Sequence, residues 1–92
     1  MSFRFYSTVY TCEGSPRTFS VSDIEDDTFR GEELFVRVER ESPRGFDFAE
    51  QRLPSRTWVK CFGFSEDELF ELDRYILNNQ ALLWDHARGL LF

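Results

Sequence analysis

Side chains over residues 3–12 fall into two rows, Phe3, Phe5, Ser7 and Val9 on one side and Arg4, Tyr6, Thr8 and Tyr10 on the other. A period of two in a segment rich in aromatic and β-branched residues predicts a strand. Glu13-Gly14-Ser15-Pro16 reads as a turn, because glycine reaches positive φ and proline fixes its own. Thr18-Phe19-Ser20-Val21 then returns as the second strand of a hairpin, with Phe19 and Val21 inward. Residues 34–40 alternate again, with Leu34, Val36 and Val38 inward and Arg37 and Glu39 outward, and predict a third strand. Residues 57–62 predict the last one, with Trp58, Lys60 and Phe62 on one side and Val59 and Cys61 on the other.

Between these strands the pattern weakens. Residues 22–33 set Asp23, Glu25, Asp26, Asp27, Glu32 and Glu33 against Arg30 alone. Adjacent aspartates disfavour a strand interior, so the segment reads as a loop or short helical turn pinned by Ile24 and Phe29. Residues 41–56, broken by Ser42-Pro43-Arg44-Gly45 and Leu53-Pro54-Ser55, read as a long irregular connection of the kind that is often functional. Within it, Phe46-Asp47-Phe48-Ala49 predicts a short edge strand.

The period then changes. Ser65-Glu66-Asp67-Glu68 is a capping box, with Phe64 placed to staple onto Leu69. Leu69, Leu72, Ile76, Leu83 and Ala87 recur at helical spacing, widened by Phe70, Leu77 and Trp84, and Gly89 marks a stop. Asp73 and Gln80 fall inside this stripe, at its edge or at a bend. Asn78-Asn79 prefers caps to helix interiors, so the segment is either one helix of about six turns or two helices bent there. The tail Leu90-Leu91-Phe92 is expected to tuck onto the core. Together these elements give an α+β domain over residues 1–92, an antiparallel β-sheet of three to five strands with a C-terminal helix packed on one face.

Composition adds two things. Eleven phenylalanines, two tryptophans and three tyrosines allow a chain of 92 residues to bury a real core. A formal charge of −6 suits basic partners and opposes the electrostatic term that dominates nucleic-acid binding. Phe46 and Phe48 beside Arg44, Arg52 and Arg56 have the look of a base-stacking patch, but Glu41, Asp47 and Glu50 cancel those arginines locally. Cys12 and Cys61 form no CxxC; spacing leaves a disulfide between two strands open, and the favoured reading is reduced, buried thiols of a cytoplasmic protein. The N-terminus alternates instead of running apolar, and no apolar run approaches the ~20 residues of a membrane helix.

Candidate chemistry is sparse. His86 is the sole histidine and reads as a surface residue at a helix C-terminus, where a cation suits the dipole. A cysteine nucleophile would need a base beside it, and neither cysteine has one nearby in sequence. The run 23–27 does not match the calcium-loop spacing, and the chain carries no phosphate-binding glycine loop or HExxH. No catalytic residue, metal or cofactor is therefore expected.

The expectation is a small acidic protein-binding module, an inhibitor or decoy docking on a basic nucleic-acid-handling protein. Its character is that of phage-encoded inhibitors of host defence such as anti-CRISPR proteins, an analogy of character alone. The expected contact residues are Asp23, Glu25, Asp26, Asp27, Glu32 and Glu33, with Arg44, Phe46 and Phe48 as a second patch. The acids at 66–71 would extend the first set if both lay on one face. The alternatives are a homo-oligomeric assembly subunit, or a small ligand-binding domain or enzyme using the 41–56 segment as a lid.

Overall fold

A computed structural model describes residues 2–11 and 14–89. The chain runs β1 (Phe3–Val9), β2 (Arg17–Ser22), β3 (Glu25–Asp27), β4 (Gly31–Ser42), β5 (Gly45–Leu53), β6 (Thr57–Phe62), α1 (Glu66–Asn78) and α2 (Gln80–Ala87). All strand pairs are antiparallel, in the order β1-β2-β4-β5-β6, with β3 also paired to β4. The α+β layout is as expected, but the sheet has six strands, more than the three to five expected.

The extra strands come from the two segments that read as irregular. Residues 22–33 are a hairpin in which Glu25, Asp26 and Asp27 face Glu33, Glu32 and Gly31. The segment 41–56 is mostly the nine-residue strand β5, joined to β4 by the tight turn Pro43-Arg44. Far from being an edge, β5 lies between β4 and β6. Its pattern is hard to read because its core-side positions include Asp47 and Gln51, while Phe46 and Phe48 lie on the other face.

Two bulges also reverse expected faces. A register shift between Phe5 and Ser7 sets Arg4 opposite Val21 but Ser7 opposite Phe19, so Phe3 and Phe5 part from Ser7 and Val9. A second shift pairs Gln51 with Trp58 but Glu50 with Lys60, and so separates Trp58 from Lys60 and Phe62. An extra residue in one strand moves everything beyond it to the opposite face.

Phe19, Val21, Leu34, Val36, Val38, Ala49 and Leu53 from the sheet form one buried cluster with Phe64, Leu72, Ile76 and Leu83. Phe19 meets Tyr75 ring to ring at 4.4 Å. The capping box forms as read: Ser65 Oγ accepts from the Glu68 N–H, and Glu68 accepts from the Ser65 N–H. The helical segment breaks at Asn79, whose side chain donates back to the Tyr75 carbonyl. Gln51 is fully buried and donates to Asp73 on α1 at 2.8 Å, so Asp73 sits in the apolar stripe to satisfy a core amide.

The start of α1 is tied to the far end of the β4–β5 hairpin. Arg40 donates to Asp47, to Glu68 and to the Gly63 carbonyl, and its guanidinium stacks 4.3 Å from the Phe64 ring centre. Arg17 adds ion pairs to Glu68 and Glu71. The Arg40 guanidinium holds Glu68 down to about 2 and keeps Asp47 below the usual carboxylate range. Gly63 sits at φ +88°, and a Cβ there would fall 2.1 Å from Asp47 Oδ1.

Cys61 is a free, exposed thiol, which corrects the expectation of a buried one; Cys12 and the tail 90–92 lie outside the described residues. Among the described residues, no helix is long and apolar enough to cross a membrane.

Candidate functional site

Acidic residues in adjacent antiparallel strands ordinarily face bases, because like charges directly opposite destabilise a pair. The β3–β4 hairpin does the reverse. Glu25 lies opposite Glu33, and Asp26 opposite Glu32. Two of these acids are compensated: Glu33 is nearly buried and pairs with Arg30 and Arg52, while Glu32 accepts from Arg88 beyond α2. Glu25 and Asp26 are exposed and have no ion partner among the described residues.

The tip is built by Asp27. Its Oδ1 accepts the N–H groups of Phe29 at 2.8 Å and Arg30 at 3.0 Å, closing the turn, and these bonds lower its pKa. Gly31, at φ +79°, completes the turn. The Phe29 side chain is left 97% exposed. It does not pin the segment, as its spacing with Ile24 implied; Ile24 alone packs against the core. A fully exposed phenylalanine on the same hairpin as two unpaired acids, Glu25 and Asp26, has the composition of a docking tip.

The expected contact residues divide. Glu25, Asp26, Asp27 and Glu32 are brought together on the hairpin. Asp23 lies beside it and pairs with Arg4 at 3.6 Å. Glu33 is covered by its pairs with Arg30 and Arg52 on the face away from the core. Arg44, Phe46 and Phe48 lie toward the other end of β4, roughly 23–33 Å away at ~3.3 Å per residue. The acids of α1 are also at that end, where Glu68 and Glu71 are engaged by Arg17 and Arg40. The two acidic clusters therefore do not share one face.

The second patch belongs to a larger surface. On the face turned away from the core, Arg37 lies 6.0 Å from the Phe3 ring centre and 5.1 Å from that of Phe48. Phe48 stacks on Phe62 at 5.8 Å, and Arg44 covers Phe62 at 5.1 Å. Glu50 lies nearly buried between Arg37 and Lys60. Sequence reading missed Phe5, Lys60 and Phe62 as members of this row because the two bulges hide which face they occupy, and Arg37, read correctly as outward, was not joined to it.

His86 is not a free surface histidine. Its Nε2 meets the Phe5 carbonyl at 2.9 Å and its ring stands edge-on to Tyr6, so it joins α2 to β1. The Tyr6 hydroxyl is raised by burial and by neighbouring Tyr75. Among the described residues, no group of three or more His, Cys, Asp or Glu side chains is arranged to hold a metal ion. A depression of about 550 Å³ is lined in part by Arg17, Arg40, Asp47, Glu68 and Glu71, side chains already committed to one another.

Comparison with protein families, with curated proteins and with solved structures finds no match to this chain.

Proposed function

We propose that the protein is a non-enzymatic binding module whose β3–β4 hairpin docks on a basic surface of another protein. One observation carries this reading. The hairpin holds like charges rung against rung, with Glu25 and Asp26 unpaired, around a phenylalanine 97% exposed at its tip. Folding gains nothing from this arrangement, whereas a basic partner with an apolar recess would neutralise the acids and bury the ring. In this reading the helix pair covers one face of the sheet, touches the hairpin through Arg88 and Glu32, and leaves Phe29, Glu25 and Asp26 exposed. Partners that handle nucleic acids fit because their surfaces are basic, and an inhibitor or decoy role in the cytoplasm follows from competition for such a surface.

The test compares tagged wild type with Glu25→Lys/Asp26→Lys and Phe29→Ala in nuclease-treated extract. The captured protein is then purified and titrated against each form over a range of salt. Binding that weakens with salt and is lost in both variants supports the proposal. A partner held equally by all three forms, or one released by nuclease, refutes it.

A further inference from the structure

We propose that the outer edge of β6, with the groove between it and α1, binds an extended peptide segment of another protein that carries a basic side chain. The sheet ends in three strands, β1, β3 and β6. An end strand presents backbone N–H and C=O groups without a ladder partner, so proteins cover, shorten or charge it. β1 is engaged by α2: His86 Nε2 meets the Phe5 carbonyl at 2.9 Å, and Arg4 donates to the Ala87 carbonyl at 2.7 Å. β3 is three residues long and wholly acidic. β6 has six residues, about 20 Å of strand at ~3.3 Å per residue. Among the described residues, its backbone bonds to β5 alone.

The helix does not close over this edge. Cys61 stands opposite the fully buried Ala49, on the helix side of the sheet, yet it is exposed. Trp58 stands opposite the buried Gln51 on the same side. Beside it a depression of about 370 Å³ lies between β6 and α1, lined by Trp58, Leu69 and Phe70 together with Glu66, Asp73 and Arg56. Phe70 is 63% exposed, and Leu77, two turns further along the same face of α1, is 46% exposed.

Backbone and charge together select the occupant. An extended chain offers N–H and C=O groups at the repeat of the β6 edge, and its alternate side chains fall over the groove. The groove sets Glu66 and Asp73 against Arg56, which pairs with Asp73 at 3.5 Å. Glu66 is exposed and has no ion partner among the described residues. A lysine or arginine in the groove lays its stem on Trp58 and Phe70 and brings its charge to Glu66. A second copy, also at −6, would add like charge at this edge. A nucleic-acid strand would bring phosphates to the same acids and has no backbone ladder to offer. The bulge at Val59 interrupts the edge, so the paired segment is short. The site shares no residue with the β3–β4 hairpin and stands or falls apart from it.

The experiment selects binders to the immobilised full chain from a display library of short random peptides at low salt. Enriched sequences should alternate β-branched residues with other side chains and carry a lysine or arginine. The leading peptide, synthesised and added to isotope-labelled protein, should shift the amide resonances of residues 57–62 and the Trp58 indole. N-methylation of every second peptide amide should abolish binding in one phase and spare it in the other, as a strand paired along one side requires. Glu66→Gln/Phe70→Ala should weaken binding by about tenfold or more, and the N-methyl series carries the result if that variant fails to fold. The proposal is overturned if no peptide is enriched, if the binders lack a basic residue, or if they shift the hairpin tip instead of β6. Equal tolerance of N-methylation in both phases also overturns it.

Discussion

Replacing Glu25 and Asp26 with lysine should make the fold more stable while removing its proposed partner. Each change converts a like-charged rung, Glu25–Glu33 or Asp26–Glu32, into an oppositely charged one. Cross-strand pairs contribute about 0.2–1 kcal/mol, and like charges cost a similar amount. Arg30, Arg52 and Arg88 already offset part of the charge on Glu33 and Glu32, so the gain per rung lies near the middle of that range. The double variant should gain about 1 kcal/mol at low salt, or about 4–8 °C in Tm for a chain of this size. Asp27 must stay, because its carboxylate closes the turn through Phe29 and Arg30. Urea denaturation at low and high salt, with a thermal melt, measures the effect. The gain should shrink with salt as exposed charges are screened. A variant that is less stable, or unchanged at low salt, refutes the argument that these acids oppose folding and are present for a partner.

Three further outcomes follow from the contacts. Gly63→Ala forces a Cβ into Asp47 and holds alanine at positive φ; it should lose about 2–4 kcal/mol in urea denaturation. Glu68, held at about 2 against an ordinary 4.5, contributes stability that is complete above about pH 4.5 and is lost as pH falls toward about 2. With its side chain 27% exposed, that contribution is about 2 kcal/mol after screening, and acid titration of Glu68→Gln should lack this part of the decline. Asp27→Ala leaves the Phe29 and Arg30 N–H groups without their acceptor, and should disorder the tip in NMR spectra while leaving core resonances in place.

Strand β2, the core of β4 and the capped start of α1 were legible because each follows a single local period. Phe19 and Val21 are buried as their spacing required, and Ser65 and Glu68 make the reciprocal bonds their spacing implied. What failed depended on partners distant in sequence. Asp47 reads as a loop residue until Arg40 neutralises it, and Gln51 as a surface residue until Asp73 accepts its amide. Bulges leave no mark in a pattern of two, so the aromatic row from Phe3 to Phe62 was scattered across both expected faces. The acidic residues were found from composition alone. That they stand rung against rung, with Phe29 at the apex, required the β3 pairing, which consecutive aspartates argue against.

The carboxylate of Glu68 serves two elements, completing the cap of α1 and accepting from Arg40 on β4. Helix initiation is ordinarily a local event whose cost is met within one turn. Here the group that lowers that cost is also held by a strand 28 residues away in sequence. Opening the end of the β4–β5 hairpin therefore loosens the first turn of α1, and fraying of that turn releases Arg40 beside the buried Asp47. Neither can open without loss of a contact to the other, so the amide hydrogens of the helix start and the hairpin end should exchange together. At the β3–β4 tip the Glu33 carboxylate ties Arg30 to Arg52, while the Phe29 ring stays exposed to whatever it meets.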